Sequence, residues 1–212
     1  MGGGQLAGPE YVNGLLVDFG GVLTTNVFES FRAFCQTEGL DPEAFLQLLR
    51  EDPGAVAELR KVETGQLDEQ EFAARIGAKL GLADTDGLVD RLFAGIEPDS
   101  AMVEAVKRAK RLGVRTGLIS NSMGAGRYDR DAFPELFHGV VISGEEGMHK
   151  PEPEIYRLGA ERVGLPPEEC VFVDDLRENC EGAEAVGMTA LLHRGPERTL
   201  PELERLLGLE LR

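Results

Sequence analysis

Leu15-Leu16-Val17-Asp18-Phe19-Gly20-Gly21-Val22-Leu23-Thr24 decides how this chain is read. An apolar run presents one carboxylate and then breaks into tandem glycine. Such a run reads as a strand buried on both faces, with Asp18 delivered at its carboxyl end. Gly20 and Gly21 allow a sharp turn and the close approach of a ligand to the backbone. A plain strand and turn would show the same pattern, so the weight falls on what the rest of the chain brings to that end.

Downstream, the hydrophobic period changes. Thr24 to Asn26 read as a polar hinge, and from Val27 to about Gly95 every apolar pattern is helical. Phe28, Phe31, Phe34 and Cys35 share one helix face. Asp41-Pro42-Glu43 and Asp52-Pro53 are two helix starts, with proline at a first-turn position. Asp68 and Glu71 have the spacing of a capping box ahead of Phe72, Ile76 and Leu80. Glu97-Pro98-Asp99 reads as the return linker. A βα rhythm follows, with strands expected at Val114 to Ser120, Val140 to Ile142, Cys170 to Val173 and Thr189 to Leu192. Gly124 and Gly126 fall in a loop, Asp129 to Leu136 in a short helix, and the last helix is expected after Pro201. The fold class is therefore α/β: a Rossmann-like open, mostly parallel sheet of five strands or more, with a small all-helical insertion. The expected division is a core of residues 11–25 and 97–212, an insertion of 26–96, and a flexible amino end of 1–10.

Composition narrows the partners. The 212 residues carry 38 acidic and 22 basic side chains, a formal net charge of -16. No basic run supplies counter-charge for a nucleic-acid backbone, so no nucleic acid is expected. No apolar run approaches the roughly 18 residues of a membrane span, and no basic, apolar leader opens the chain. A cytoplasmic protein without membrane contact is expected. Cys35, Cys170 and Cys180 form neither a metal motif nor a disulfide framework and read as buried thiols. His138, His149 and His193 match no zinc spacing.

Open α/β sheets bind ligands beyond the carboxyl ends of their strands. The pattern brings Asp18, Ser120 and Asn121, Lys150, and Asp174 and Asp175 to that edge. Single Ser, Asn or Asp residues there would serve as helix caps. Three carboxylates and a lysine are harder to explain that way, because the carboxylates repel one another. A hard divalent cation relieves that repulsion, and Mg²⁺ prefers oxygen donors of this type. Lysine and a hydroxyl beside it suit a phosphate.

With these residues in place the chain resembles the haloacid dehalogenase-like hydrolases over residues 15 to about 193. The four motifs occur in order: Asp18-Phe19-Gly20-Gly21-Val22-Leu23-Thr24; Leu118-Ile119-Ser120-Asn121-Ser122; His149-Lys150-Pro151-Glu152-Pro153-Glu154-Ile155-Tyr156; and Val171-Phe172-Val173-Asp174-Asp175-Leu176-Arg177-Glu178-Asn179. The insertion lies where that family carries a helical cap, and the phosphatase-like branch with the amino-terminal domain of soluble epoxide hydrolases is the most similar. The resemblance implies a nucleophilic Asp18, phosphoryl binding by Ser120, Asn121 and Lys150, and Mg²⁺ held by Asp18, Asp174, Asp175 and the Gly20 carbonyl. It implies a Mg²⁺-dependent phosphatase acting on a small-molecule phosphate ester.

One position departs from the family. Its phosphatases place a second aspartate, the acid and base, two residues after the nucleophile, where this chain has Gly20. Glu145, Glu146 and His149, a residue of the cap, or water would have to take its place. Family dehalogenases also lack that aspartate, so a 2-haloacid dehalogenase is an alternative, with Arg32 as the residue for a substrate carboxylate; the Asp174-Asp175 pair argues against it. A phospho-ligand or protein-binding module with weak turnover is another alternative. Thr25, Asn26, Phe28, Arg32, Arg60 and Lys61 are the candidates for substrate choice. A sugar phosphate, a nucleotide, a phosphorylated small acid and a lipid head group remain open, with a small soluble ester favoured. A monomer or a homodimer is expected.

Overall fold

The computed structural model describes residues 11–123 and 128–212. The amino end at 1–10 and the loop glycines Gly124 and Gly126 lie outside the described residues. Five parallel strands form one sheet: β1 (Gly14–Val17), β2 (Arg115–Ser120), β3 (Gly139–Ile142), β4 (Cys170–Asp174) and β5 (Thr189–Leu192). Their order across the sheet is β3-β2-β1-β4-β5. β1 is central, pairing with β2 on one side and β4 on the other. The strand order reverses at β1, which opens a crevice at its carboxyl end.

The apolar run of β1 is buried on both faces, as a central parallel strand requires. Leu15 and Val17 enter one core with Leu118, Val171 and Val173. Leu16 enters the other with Ile119, Tyr156 and Phe172. β1 ends at Val17, and the Asp18 amide just beyond it still bonds the Val173 carbonyl at 2.9 Å.

Between β1 and the return to the sheet the chain forms α1 (Val27–Thr37), α2 (Ala44–Glu51), α3 (Pro53–Glu63), α4 (Glu69–Leu80) and α5 (Leu88–Phe93). They enclose a separate apolar cluster around Phe31, Phe45, Phe72, Ile76, Leu88 and Leu92, to which the sheet side contributes Met123. Asn26, Asp52 and Asp68 each accept backbone N–H bonds at the starts of α1, α3 and α4. Two local expectations fail. Pro42 lies in the turn before α2, because Asp41 bonds the Glu43 amide and delays the helix to Ala44. Glu71 does not close a capping box with Asp68; its carboxylate pairs with Arg75. The two connections between helices and sheet run side by side: Thr25 N–H donates to Glu97 O at 2.7 Å, and Asp99 N–H to Leu23 O at 2.9 Å.

The remaining helices are α6 (Ser100–Arg111), α7 (Phe133–Leu136, preceded by a 3-10 turn), α8 (Ser143–Glu146), α9 (Pro153–Val163), α10 (Arg177–Ala185) and α11 (Pro196–Leu207). α11 begins five residues before Pro201 and runs through it. Pro196 opens the helix, and the buried stripe Thr199, Leu200, Leu203 and Leu207 holds it against the sheet core across the one missing backbone donor. The three cysteines are buried and unbonded to one another. No described helix is long and apolar enough to cross a membrane.

Candidate active site

The crevice at β1 gathers the residues that the four strand ends deliver. Lys150 is 3% exposed, and its Nζ lies 2.8 Å from Asp18 Oδ1 and 2.7 Å from Asp174 Oδ2. The ammonium also sits 5.4 Å from the centre of the Phe172 ring. Asp174 is fully buried and held by the Leu176 amide at 2.8 Å and by Asn179 Nδ2 at 3.1 Å from each oxygen. Asp18 Oδ1 further accepts the Phe19 amide at 2.7 Å. One carboxylate oxygen from each of Asp18, Asp174 and Asp175 falls in a set whose members lie within 4.8 Å of one another.

Three acids against one ammonium leave an excess of negative charge in a buried space. Burial pushes the Asp18 carboxyl up to about 7; Lys150 pulls it down, while Asp174 and Asp175 push it further up. Burial and then Asp174 carry Asp175 up to about 6. Burial disfavours the Lys150 ammonium, but Asp174 and Asp18 outweigh it and raise its pKa, so it stays charged. The donors are all hard oxygens with surplus negative charge, a set that fits Mg²⁺ and not a softer metal.

Backbone geometry makes room for this cluster. Gly21 has φ +75°, and a Cβ there would stand 2.5 Å from Asp175 Oδ2. Thr24 Oγ1 accepts the Gly21 amide at 3.0 Å and fixes the turn. Ser120 is 2% exposed, with its Oγ 2.9 Å from the Tyr128 hydroxyl. Burial pushes that phenol up to about 12, so it remains protonated. Asn121 stands differently from its expected role: its amide accepts the Lys150 N–H at 2.9 Å and donates to the Lys150 carbonyl at 3.2 Å. It clasps the backbone of Lys150.

A cavity of about 190 Å³ lies between this cluster and the helices. Asp18, Gly20, Asn121, Lys150, Asp175 and Asn179 line it from the sheet side. Val27, Phe28, Phe31, Phe45, Leu49, Leu59 and Phe93 line it from the helices, together with one acid, Glu63. A neighbouring cavity of about 350 Å³ shares Gly20, Phe93, Asn121 and Met123 and reaches Ser120 and Tyr128. Gly20 is confined, since a Cβ there would meet Val27 Cγ2 at 3.0 Å.

Of the six residues suggested for substrate choice, Phe28 lines the 190 Å³ cavity. Thr25 and Asn26 line an adjoining cleft with His193 and Arg194, which shares Phe28 and Asp175 with that cavity. Arg32 does not face the cluster; it pairs with Glu43 and with Glu29. Arg60 bonds Glu152 at 2.6 Å and Lys61 bonds Glu58 at 3.1 Å. These three are drawn off by neighbouring carboxylates, the ordinary fate of a cation on an acidic surface. The loop acids are engaged likewise: Glu145 with Arg130, and Glu146 with Arg162 at 2.6 Å. His149 Nδ1 contacts the Lys150 carbonyl, and its Nε2 is 3.5 Å from Glu152. Sequence reasoning missed Glu63 and Tyr128.

Comparison with known proteins agrees with this geometry. A family model described as haloacid dehalogenase-like hydrolase matches residues 12–187. A glyceraldehyde 3-phosphate phosphatase of Methanopyrus kandleri is 33% identical over 130 residues, 57% of this chain and 56% of that protein. The chain thus spans little more than half of that relative's length. A sesquiterpene phosphatase of Aspergillus oryzae is 29% identical over 155 residues, 69% of this chain and 77% of that protein. In structure, a HAD family enzyme of Bacteroides thetaiotaomicron superposes with a TM-score of 0.67 at 22% identity, over 91% of this chain and 98% of that one. The motifs, the sheet order and the family match together assign this chain to the haloacid dehalogenase-like hydrolases.

Proposed function

We propose that this hydrolase is a Mg²⁺-dependent phosphatase that cleaves a small phosphomonoester through an aspartyl-phosphate on Asp18. The observation that carries the reading is the buried cluster of Asp18, Asp174 and Asp175 around Lys150. Asp18, Asp174, Asp175 and the Gly20 carbonyl would hold Mg²⁺, which would supply positive charge to the phosphoryl oxygens. A magnesium complex of the Bacteroides thetaiotaomicron enzyme and the phosphatase relatives support this choice.

In this reading an oxygen of Asp18 attacks phosphorus, and the ester oxygen leaves with its bonding pair. Water then attacks the aspartyl-phosphate, releasing phosphate and restoring Asp18. Lys150 keeps positive charge beside both the nucleophile and the incoming group. Ser120 holds a phosphoryl oxygen, with its hydroxyl oriented by Tyr128. Asn121 acts by placing Lys150. The five helices act as the cap that keeps bulk water from the reacting atoms.

The cavity narrows the substrate. Apart from Glu63 its helical wall is made of Phe, Leu and Val side chains, and among the described residues it offers no cation for a second acidic group. That wall suits a phosphate ester whose organic part is apolar, and suits a sugar phosphate or nucleotide poorly. A 2-haloacid dehalogenase would need a cation for the substrate carboxylate; among the described residues lining the cavity the sole cation, Lys150, already bridges Asp18 and Asp174.

The direct test is phosphate release from a panel of apolar and polar phosphomonoesters, with Mg²⁺ and with chelator, for the wild type and Asp18→Asn. Turnover that needs both Mg²⁺ and Asp18 is expected. A panel on which Asp18→Asn equals the wild type removes the reading.

A further inference from the structure

Gly20 leaves the proposed reaction without the side chain that would protonate a departing alkoxide. The protein must supply that proton from elsewhere, because an alkoxide is a poor leaving group. The residues around the 190 Å³ cavity restrict the choice. Asp18 is the nucleophile, and Lys150 is bound to two carboxylates. Asp175 is packed against Gly21 on the cation side. The amides of Asn121 and Asn179 do not exchange protons in this way. Glu63 remains.

Glu63 is the last residue of α3, one turn beyond Leu59 on the apolar stripe. Its carboxylate has no hydrogen bond or ion pair to any described residue, unlike the acids of the nearby loop. Its backbone is fixed to the sheet side: the Ser143 hydroxyl donates to the Glu63 carbonyl at 2.5 Å, and Ser143 Oγ accepts the Ser122 amide at 2.9 Å. The side chain is thus presented to the cavity by a docked helix end. Burial pushes the Glu63 carboxyl up to about 7; Lys150 and Arg60 pull it down and Glu178 pushes it up. A carboxyl poised there can both give and take a proton near neutral pH.

We propose that Glu63 is the general acid and base of this enzyme, doing from the helical cap what Gly20 cannot do from the nucleophile loop. The proposal rests on the phosphatase reading above. In the first step the Asp18 oxygen–phosphorus bond forms and the phosphorus–ester oxygen bond breaks. The leaving oxygen takes the Glu63 proton and departs as the alcohol. In the second step the Glu63 carboxylate takes a proton from water as its oxygen bonds to phosphorus. The phosphorus–Asp18 bond breaks, and Glu63 is again protonated.

The test uses two esters of similar apolar size, 2-phenylethyl phosphate and 4-nitrophenyl phosphate, assayed with Mg²⁺ on the full chain. Nitrophenolate leaves without a proton; the alkoxide does not. Glu63→Gln is expected to lower kcat/KM for the phenylethyl ester by about 10²–10⁴-fold and for the nitrophenyl ester by less than about fivefold. In Glu63→Ala, added formate is expected to restore phenylethyl ester cleavage. Equal losses on both esters without formate rescue would show a structural role and overturn the proposal, as would no loss on either. If the wild type cleaves neither ester, or cleaves both as fast as Asp18→Asn does, the phosphatase reading itself fails and Glu63 falls with it.

Discussion

The Asp175 carboxylate occupies the space that a side chain on Gly21 would need, with Oδ2 2.5 Å from the position of a Cβ. The loop conformation and the acid cluster are therefore one structure. Gly21→Ala meets both a left-handed backbone, which costs about 1–2 kcal/mol for other residues, and a displaced carboxylate. The expected result is Mg²⁺ affinity weakened by roughly 10–100-fold, as for other losses of ligand orientation, with the fold kept. Isothermal titration of Mg²⁺ and circular dichroism check the two parts.

Lys150 binds two buried carboxylates at once. Lys150→Met leaves both without a counter-charge, and removing one partner of a buried pair typically costs about 3–5 kcal/mol. The loss is expected to shrink at low pH, where Asp18, raised to about 7, protonates and needs no partner. Urea unfolding of the variant and the wild type at pH 5 and pH 8 measures it, and a penalty independent of pH would contradict the assignment.

Stability of the cation-free protein is expected to fall as pH rises from about 4 to about 7. Asp18 and Glu63 are raised to about 7, from ordinary values of 3.8 and 4.5, and Asp175 to about 6. Across that window the folded chain keeps protons that the unfolded chain has released, so the slope of stability against pH is negative. A divalent cation must displace the Asp18 and Asp175 protons, and it should stabilise more at pH 8 than at pH 5. Melting temperatures against pH, with chelator and with Mg²⁺, give both results.

Leu59 is half-buried and part of the apolar wall. Leu59→Gln is expected to raise KM for an apolar ester by roughly 5–30-fold, the range for losing about 1–2 kcal/mol of apolar contact. KM for inorganic-like esters such as methyl phosphate should stay within about twofold, since they do not reach the wall. Steady-state kinetics on the two substrates separates these effects.

Asp18, Ser120 and Asp174 are legible in the sequence because each lies at or one residue beyond the carboxyl end of a strand pattern, and Lys150 because it lies in the loop that follows the third. A parallel sheet brings those ends together whatever the loops do. The helical wall was harder to place. Arg32 and Arg60 read as substrate cations, but a charge on a helix says nothing about which acid will claim it: Glu43 stands across a turn from Arg32, and Glu152 lies 92 residues from Arg60. The sequence signal for Glu63 lies in the pattern of its own helix. Ala55, Leu59 and Val62 set the apolar stripe of α3, and Glu63, four residues after Leu59, puts an acid on it. Tyr128 had no such period to reveal it. Pro201 misled in the other direction, since a local rule about helix starts yielded to the leucine stripe that spans it.

Thr25 and Glu97 are joined by a backbone hydrogen bond, and the Leu23 carbonyl meets the Asp99 amide just beyond it. The chain therefore leaves the sheet and returns to it at a single doorway, two strands wide. To β1 and α6, everything between is a detour of no length. A different set of helices, larger or smaller, could be spliced at that doorway without moving Asp18 or Asp174. A chimaera exchanging residues 26–96 would keep this chain's nucleophile and acid cluster, and would take both the apolar wall and the proton donor at the place of Glu63 from the donor of the helices.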